Sequence, residues 1–491
     1  MGDICVSVAE KSREALLEQL RRLPERGAGC LEVRFDYLEE PTDLAEILDQ
    51  RTCPLIATAR RPEDGGRWNR PEAERRKLLR DACRAGFDYV DLEEDIAHHI
   101  PREGDAKRLI SYHDMLGMPD NLPTLAHQLE AGDADVLKIA VMPQRVADTF
   151  RLLRWATSRK VPALVIAMGD LGVASRILNA KVGSPFTFAA ADVASVVAPG
   201  MLTLAELRDV YHYPSIGADT RVFGVIGDPI AQSLSPKVHN AAFAADGQDT
   251  VYVPFRVPEE ELDEFMAEAT AFGIEGLSVT IPHKQRLLRH GDVRDPLVSA
   301  AHSSNTWVHA EGRRALFNTD GPAVLHALEQ LRGTTVLENV TALILGAGGV
   351  SRTIAVVLGD AGAQVVLANR TRERAEALAK EVGVDAVDWE ERGAVACDLL
   401  VNATKVGMVP KIDETPFPEA SLREGMVVFD TVYNPERTKL IESAAARGCQ
   451  VVTGAEMFVH QAEAQYRLFT GRAPKRGLML EVVRQAFATN K

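Results

Sequence analysis

The stretch Asp135-Val136-Leu137-Lys138-Ile139-Ala140-Val141-Met142 decides how the first half of this 491-residue chain is interpreted. An apolar run of this length, rich in Val and Ile, predicts a buried strand. Lysine is rarely buried in a strand, because burial disfavours the charged ammonium form. The neutral amine favoured there can attack a carbonyl and form a Schiff base, whereas a lysine at a strand end would simply pair with a carboxylate. The neighbouring segments decide between these two interpretations.

Seven further apolar segments resemble this one and alternate with helical patterns. The eight predicted strands are Ile4–Val8, Leu31–Arg34, Leu55–Ala59, Tyr89–Leu92, Leu109–Tyr112, Val136–Val141, Ala163–Ala167 and Phe186–Phe188. The helical patterns include Lys11–Arg22, Pro71–Ala85, Arg145–Ser158 and Gly172–Asn179. This alternation predicts an α/β fold, a parallel (β/α)8 barrel, whose chemistry takes place at the carboxyl ends of the strands. Polar side chains follow the strands at those ends, as at Arg60, Glu93 and His113.

Four motifs sharpen the interpretation of this half. They are Glu32-Val33-Arg34-Phe35-Asp36, Ser111-Tyr112-His113-Asp114, Lys138-Ile139-Ala140, and Met168-Gly169 through Ser175-Arg176. In this order they resemble type I 3-dehydroquinate dehydratase, over a domain that we place at residues 1–213. The resemblance implies that Lys138 forms an imine with the ketone of 3-dehydroquinate and that His113 is the general acid and base. Histidine suits both parts, because its reference pKa lies near neutrality.

The same resemblance assigns roles to the polar lining of the barrel. It implies that Glu93 orients His113 and that Arg176 holds the substrate carboxylate as a guanidinium fork. Glu32, Arg34 and Arg60 complete the predicted substrate-binding set.

One segment departs from the family pattern. Where the family usually has Ser-Ala-Pro-Gly-Gln, with Ser and Gln contacting the substrate, this chain has Val197-Ala198-Pro199-Gly200-Met201. A buried hydroxyl without its partner costs about 1–3 kcal/mol per lost hydrogen bond. Weaker binding, rearranged contacts and an altered substrate are the three alternatives at this position.

A glycine-rich turn marks the second half of the chain. A polar linker at residues 214–220 precedes a new apolar strand at 222–226, so we place the domain boundary in the linker. Farther on, the strand Thr341–Leu345 leads into Gly346-Ala347-Gly348-Gly349-Val350 and a helix. This order predicts a Rossmann dinucleotide-binding turn, although Ser351 replaces the third glycine of the usual fingerprint.

The segment after the next strand indicates which dinucleotide is bound. Gln364–Ala368 ends in Asn369-Arg370-Thr371-Arg372-Glu373-Arg374, where an NAD-binding chain would carry an acid. Arg370 and Arg374 offer guanidinium groups suited to a 2′-phosphate. The pattern favours NADP(H) as the cofactor, and the alternative is a solvated basic helix start.

Six motifs around this turn occur in an order that resembles shikimate dehydrogenase from residue 221 to the C-terminus. They are Ser233-Leu234-Ser235-Pro236, Ser278-Val279-Thr280-Ile281-Pro282-His283-Lys284, Ser304-Asn305-Thr306, Asn318-Thr319-Asp320-Gly321, Asp430-Thr431-Val432-Tyr433-Asn434-Pro435 and Gln461-Ala462. The resemblance implies a substrate-binding lobe at 221–323. It also implies a Rossmann NADP-binding lobe at 324–491, whose C-terminal helix returns to the substrate lobe.

The resemblance also assigns roles to residues of this half. Lys284 would donate a proton to the reacting oxygen, and Asp320 would hold Lys284 in place. Ser233 and Ser235 would bind the substrate carboxylate. The ring hydroxyls would be bound by Thr280, Asn305 and Gln461, with Tyr433 nearby. The cofactor would be bound by the turn at 346–350 together with Asn369, Arg370, Thr371, Arg374, Thr404 and Gly454. Lys405 stands where the family usually has Ser, either as a solvated charge or as an extra cation near the cofactor phosphates.

Together the two resemblances imply a bifunctional enzyme of consecutive steps. It would dehydrate 3-dehydroquinate to 3-dehydroshikimate and then reduce this product with NADPH to shikimate. One alternative is a shikimate or quinate dehydrogenase whose barrel is inactive, accepts another substrate or serves as a structural platform; Ser235 and Thr280 favour shikimate over quinate. Another alternative is a non-enzymatic NADP-sensing module.

Composition limits the remaining classes. The net charge of −14 and the pI of about 5.4 disfavour a nucleic-acid-binding surface. No apolar run reaches the roughly 20 residues that a membrane span needs, and the chain enters its first strand almost directly, without room for a signal or transit peptide. The six cysteines lack metal-type spacing, and imine chemistry requires no metal. We expect reduced cysteines, a cytoplasmic location, small-molecule partners and no obligate protein partner.

Overall fold

The chain divides into two compact units. The computed structural model describes residues 2–40 and 43–489. One unit comprises residues 1–222 together with 249–273, and the other comprises 223–248 together with 274–491. Residues 249–273, which belong to the substrate lobe by sequence, thus cluster with the barrel.

Eight parallel strands form the barrel of the first unit. They are β1 Asp3–Val8, β2 Cys30–Arg34, β3 Leu55–Thr58, β4 Tyr89–Glu93, β5 Lys107–Asp114, β6 Val136–Val141, β7 Ala163–Ala167 and β8 Phe186–Ala189. Their hydrogen-bonded order is β7-β6-β5-β4-β3-β2-β1-β8, and every paired neighbour is parallel. The predicted eight-stranded parallel barrel is confirmed, and it is nearly closed, with β7 and β8 at the two ends of this order.

Helices surround this sheet. They are α1 Arg13–Glu25, α2 Leu44–Asp49, α3 Glu72–Ala85, α4 Leu122–Ala131, α5 Val146–Thr157 and α6 Val173–Leu178. α1 shows why such segments are helical: the Ser12 side chain accepts a hydrogen bond from the Ala15 amide, and Leu16, Leu20 and Leu23 fall on one buried face. α3 also buries one face, and that face includes a charged residue, Arg75.

Two elements that follow the linker, the strand Thr250–Arg256 and the helix Leu262–Phe272, pack against the barrel helices α6 and α5, respectively. The chain continues with β9 Arg221–Gly227, α7 Ser235–Ala245, β10 Thr250–Arg256 and α8 Leu262–Phe272. In the first unit, the ring of Phe150 on α5 lies 5.8 Å from that of Phe255, 5.7 Å from Phe265 and 5.6 Å from Phe272. Ion pairs join Arg154 to Glu268 and Arg145 to Glu264 around this aromatic cluster.

The second unit contains two sheets. The remaining elements are β11 Ile274–Val279, β12 Val293–Arg294, α9 Pro296–Ala301, β13 Thr306–Ala310, β14 Arg313–Phe317, α10 Asp320–Arg332, β15 Thr341–Leu345, α11 Gly349–Asp360, β16 Gln364–Ala368, α12 Arg372–Val382, β17 Asp385–Val387, β18 Leu399–Asn402, β19 Val427–Asp430, α13 Lys439–Ala446, β20 Gln450–Val452, α14 Gly454–Thr470 and α15 Leu478–Thr489. One sheet runs β9-β11-β13-β14-β12. The other is parallel and runs β17-β16-β15-β18-β19-β20, the doubly wound order in which a dinucleotide binds where the order reverses. The predicted Rossmann lobe is confirmed, and α15 packs against α7 and α14.

The described residues hold few other features that bear on function. Over 2–40 and 43–489, no helix combines the length and the apolar character that crossing a membrane requires. The same residues contain no group of three or more side chains placed to hold a metal ion. All six cysteines are free thiols, and five of them are buried.

Candidate active sites

The barrel carries a cavity at the carboxyl ends of its strands. Lys138, His113, Glu32, Arg34, Arg60 and Arg176 all line it, as do Val197 and Met201. The strand register explains part of this arrangement, because Lys138 of β6 lies opposite Ser111 of β5, two residues before His113. Side chains two residues apart on a strand point to the same face.

Lys138 is buried beside a carboxylate that sequence analysis did not assign. Its Nζ donates a hydrogen bond of 2.9 Å to Oδ2 of Asp91, lies 4.0 Å from Oε1 of Glu32, and sits 4.3 Å from the centre of the Phe188 ring. Asp91 is also fully buried and lies 2.6 Å from the Arg60 guanidinium. Burial opposes ionisation of Asp91, but the charges of Arg60 and Lys138 outweigh it and hold the pKa of Asp91 well below its usual range.

His113 is a half-buried imidazole whose Nδ1 is enclosed by the protein. Burial and the nearby charges of Arg60 and Lys138 lower the pKa of His113 well below its ordinary value. Among the described residues, Nδ1 of His113 has no hydrogen-bond partner. A neutral imidazole in this position can accept a proton from a bound molecule.

Glu93, predicted to orient His113, is bound by two arginines in this structure. Oε1 of Glu93 accepts a hydrogen bond of 2.7 Å from Arg60, and Oε2 accepts one of 2.7 Å from Arg75. No hydrogen bond joins Glu93 to His113 in the described part of the chain, and Glu93 does not line the cavity. Because both Asp91 and Glu93 face the same side of β4, sequence alone did not distinguish their roles.

Arg176 is buried, and no carboxylate of the described residues pairs with it. Its Nη2 donates a hydrogen bond of 3.2 Å to the Pro199 carbonyl, and its Nε has no partner among the described residues. Burial lowers the pKa of Arg176 to about 10. A desolvated, unpaired guanidinium favours an anionic ligand, since a charge left unpaired in the interior is costly.

The remaining lining residues are held by their neighbours. Glu32 accepts hydrogen bonds from Ser7 at 2.6 Å and from Thr58 at 2.9 Å. Arg34 is clamped by Asp36 through two hydrogen bonds of 2.9 and 2.7 Å. These contacts fix both side chains at the cavity wall before any ligand binds.

The second unit brings Lys284, Asp320 and Asn305 together. Nζ of Lys284 donates to Oδ2 of Asp320 at 2.6 Å, and Nδ2 of Asn305 donates to Oδ1 of the same carboxylate at 2.9 Å. Lys284 comes from the turn after β11, Asp320 from the start of α10, and Asn305 from the position just before β13. Gln465 of α14, which sequence analysis missed, supports this group by donating to the Asn305 carbonyl at 3.0 Å.

The other predicted substrate residues lie in the second unit without a hydrogen bond to Lys284 or Asp320 among the described residues. The Ser235 amide donates to Oγ of Ser233 at 3.2 Å, which ties these two serines at the start of α7. The Thr280 amide donates to the Ile226 carbonyl at 3.0 Å. Tyr433 stacks on Phe458 at 4.8 Å between ring centres, and Nε2 of Gln461 donates to the Phe458 carbonyl at 2.9 Å.

The glycine-rich turn has the geometry that a pyrophosphate requires. Gly346 has φ +115°, and a Cβ there would lie 2.9 Å from the Ala403 carbonyl. Ser351 explains the departure from the fingerprint, because its buried hydroxyl accepts a hydrogen bond of 3.3 Å from the Gly348 amide. The turn continues through Ala347, Gly348 and Gly349 to Val350. A Cβ on Gly349 would lie 3.3 Å from Cβ of Lys284, so the turn adjoins the ion pair of Lys284 and Asp320.

The three arginines after β16 differ in whether they form ion pairs. Arg372 bonds Glu376 and Asp388, whereas Arg370 and Arg374 are exposed and form no ion pair among the described residues. Nδ2 of Asn369 donates to the Thr371 carbonyl at 2.8 Å.

Two loops complete the cofactor side of the sheet. Oγ1 of Thr404 donates to Oδ1 of Asn402 at 2.7 Å, while Lys405 is exposed. At Gly454 a Cβ would lie 2.4 Å from the Val432 carbonyl, so only glycine fits there.

Four family models match this chain. Type I 3-dehydroquinase matches residues 4–218, and the shikimate dehydrogenase substrate binding domain matches residues 225–307. Shikimate / quinate 5-dehydrogenase matches residues 328–411, and the shikimate 5′-dehydrogenase C-terminal domain matches residues 454–484. The order of these matches is the order of the two sites along the chain.

Three relatives show how far the similarity extends. The bifunctional 3-dehydroquinate dehydratase/shikimate dehydrogenase, chloroplastic, of Arabidopsis thaliana is 34% identical over 96% of this chain and 83% of that protein. The NADP(+) shikimate dehydrogenase of Thermococcus kodakarensis is 43% identical over 53% of this chain and 95% of that protein. The solved shikimate 5-dehydrogenase of Thermus thermophilus, in complex with NADP(H) and shikimate, is 37% identical with a TM-score of 0.50, over 54% of this chain and 99% of that one. The chain therefore belongs to the family of bifunctional 3-dehydroquinate dehydratases/shikimate dehydrogenases.

Proposed function

We propose that Lys138 and His113 carry out the dehydration of 3-dehydroquinate that belongs to this family. Lys138 gives up its proton and attacks the substrate ketone, which releases water and forms an imine. Neutral His113 removes the proton from the adjacent carbon and delivers it to the departing hydroxyl, which leaves as water; hydrolysis then frees 3-dehydroshikimate and Lys138. The observation that carries this proposal is that Lys138 and His113 line one cavity, where burial and nearby positive charges hold the pKa of His113 below its ordinary value.

Arg176 is proposed to hold the carboxylate of the same substrate. It is the buried guanidinium of the cavity that has no acidic partner in the described chain, whereas Arg34 is clamped by Asp36. Arg60, Arg34 and Glu32 then face the ring hydroxyls. Val197 and Met201 line the cavity as apolar groups, so these polar residues supply the hydrogen bonds to the substrate.

The dehydrogenase half is proposed to use Lys284 as the proton donor to the reacting ketone oxygen. Asp320 fixes Nζ of Lys284, and Asn305 fixes Asp320, so the donor is held in one place. Ser233 and Ser235 would bind the substrate carboxylate, and Thr280, Asn305, Gln461 and Tyr433 the hydroxyl-bearing ring. NADPH, when bound, supplies the hydride.

The residues present fit NADPH. Gly346, Gly348 and Gly349 leave room for a pyrophosphate at the start of α11, and Arg370 and Arg374 are free to meet a 2′-phosphate. Asn369, Thr371, Thr404 and Gly454 would complete the cofactor site.

Replacing Arg370 with Ala should raise the KM for NADP by roughly 10- to 150-fold. Hydrogen bonds to charged groups contribute about 1.5–3 kcal/mol, and NAD lacks the phosphate that would form them. The KM for NAD should change less than about twofold. Arg372→Ala is the matched control, because Arg372 is already engaged by Glu376 and Asp388. Equal effects of Arg370→Ala on both cofactors would contradict the assignment.

A dehydratase assay without cofactor tests the function of the barrel directly. Purified protein is mixed with 3-dehydroquinate, and the absorbance of the conjugated enone of 3-dehydroshikimate is followed. Turnover is the expected result and would show that Val197 and Met201 are tolerated. No turnover, with normal NADP-dependent oxidation of shikimate, would favour an inactive or altered barrel. Comparing quinate with shikimate in the second assay separates the two dehydrogenase alternatives.

The domain limits and the location are proposed as well. The predicted limits of 1–213, 221–323 and 324–491 are supported by the order of the family matches. A cytoplasmic location is supported by the six free thiols, which a reducing compartment preserves. Fractionation of cells that express the tagged protein tests the location.

A further inference from the structure

Arg75 is a fully buried arginine outside the cavity. It lies on α3, and its side chain has a relative exposure of 0%. Nη1 donates to Oε2 of Glu93 at 2.7 Å and to the Ala59 carbonyl at 3.1 Å, while Nε and Nη2 bind Glu72 at the rim. Burial of a charged arginine has a large desolvation cost, which its ion pairs must offset.

From Glu93 the contacts continue inward to Lys138. Nη1 of Arg60 binds the other oxygen of Glu93 at 2.7 Å, and Nη2 of Arg60 lies 2.6 Å from Oδ2 of Asp91. The same Oδ2 accepts the hydrogen bond from Nζ of Lys138 at 2.9 Å. Arg60 and Lys138 therefore share one carboxylate oxygen, and the position of Arg60 decides how strongly Asp91 holds the Lys138 ammonium.

The charges in this row are balanced. Arg75, Arg60 and Lys138 face Glu93, Asp91 and Glu32, and each of these side chains is at most 6% exposed. Without Arg75, one negative charge would be uncompensated. Glu93 would have a free oxygen that attracts the second arm of Arg60. Asp91 would then keep Lys138 as its cationic partner, besides the hydrogen bond that Oδ1 accepts from Ser111. A carboxylate that binds a single ammonium favours the charged form of that group.

We propose that Arg75 is a positioning residue for the dehydratase: by occupying Glu93 it keeps Arg60 on Asp91, so that Lys138 can release its proton and attack the ketone. This inference rests on the proposed role of Lys138 as the imine-forming residue. Several charged or titratable groups surround the Lys138 amine, on strands β1, β2, β4 and β5 and on the loop after β3: Asp91, Glu32, His113, Arg60, Arg34 and Cys5. Arg75 differs from these groups because it lies on the helix α3, outside the barrel strands.

The test is the pH dependence of dehydratase kcat/KM for Arg75→Met in the full chain. We expect the acid limb of the profile to move to higher pH by about one unit, because loss of a nearby positive charge favours the protonated form of an amine. On the alkaline plateau, kcat should stay within about threefold of the parent. Arg76→Met is the matched control: Arg76 is the next residue on α3 and bonds Glu72, but has no contact with Glu93 among the described residues. Its profile should not move.

A second pair of variants separates positioning by charge from a merely structural role. Glu93→Gln should move the acid limb to lower pH, and the double variant Arg75→Met/Glu93→Gln should return it to within about 0.3 unit of the parent. An Arg75→Met profile with an unmoved limb and a kcat reduced at every pH would overturn the proposal. If Arg75→Met does not fold, Arg75→Lys is measured instead. Because this variant keeps the positive charge, the proposal requires its acid limb to stay at the pH of the parent. A shift of the limb by one unit would refute the proposal.

Borohydride trapping distinguishes failure of this inference from failure of the proposed function. The parent protein, mixed with 3-dehydroquinate and reduced, should carry the adduct on Lys138. Absence of the adduct from Lys138 would remove the basis of both. An adduct on Lys138 combined with identical pH profiles for Arg75→Met and Arg76→Met would refute the role of Arg75 alone.

Discussion

Replacing Lys138 with Ala should abolish the dehydratase activity, with a fall on the order of 10⁴-fold or more, as for other enzymes that lose their covalent nucleophile. No other lysine lines the barrel cavity in the described chain, so no second amine there can form the imine. NADP-dependent oxidation of shikimate should remain within about twofold of the parent, because Lys284 and Asp320 lie in the other compact unit. Both activities are measured on the same preparation, with and without cofactor.

Lys107→Ala is the matched control for that experiment. Lys107 begins β5, is exposed, and lies six residues before His113 on the same strand, away from the cavity. The variant should keep both activities. Loss of both activities in Lys138→Ala would contradict the picture of two separate sites, and retention of dehydration would assign the imine to another residue.

Replacing Phe150 with Ala should lower the stability of the barrel by about 3–5 kcal/mol, the usual cost of removing a buried aromatic ring. Phe150 has an exposed fraction of 0% and packs against three rings, those of Phe255, Phe265 and Phe272. Retention of dehydratase activity after incubation in increasing urea gives the midpoint of inactivation, which should fall markedly.

Leu116→Ala serves as the control for this prediction, because Leu116 is a large apolar residue that is 87% exposed. Its midpoint should match that of the parent. A Phe150→Ala midpoint equal to that of Leu116→Ala would mean that residues 249–273 do not support the barrel. A chain that ends at residue 222 lacks all three partner rings and should be less stable than Phe150→Ala.

The strands and the main site residues could be predicted because their signals are local. An apolar run that contains Lys138 and ends in polar residues is visible in a few consecutive letters, and the Rossmann turn has the same property. In the second half, the order of short motifs along the chain placed Lys284, Asp320 and Asn305 in one site, and the structure brings these three residues together.

The residues behind the site could not be predicted, because their contacts join distant segments. Asp91 and Glu93 are two acids on the same face of β4, and only the positions of Arg60 and Arg75 decide which one meets Lys138. Arg75 lies in Glu72–Ala85, a helix so rich in charge that every arginine in it could be solvated. Gln465 binds Asn305 across 160 residues of sequence, with no motif to mark it.

The rings that cover Phe150 have a consequence for building hybrids of such enzymes. A recombination point chosen in the polar linker at 214–220, the obvious place by sequence, would give the barrel of one parent the β10–α8 segment of the other. The Phe150 cluster and the pairs Arg154–Glu268 and Arg145–Glu264 would then be mismatched in any hybrid whose parents differ there. Exchanging residues 249–273 together with the barrel, as an insert in the recipient chain, keeps these partners from one parent. In this sense the modules that an engineer can interchange are discontinuous in the gene, although the two chemistries are consecutive.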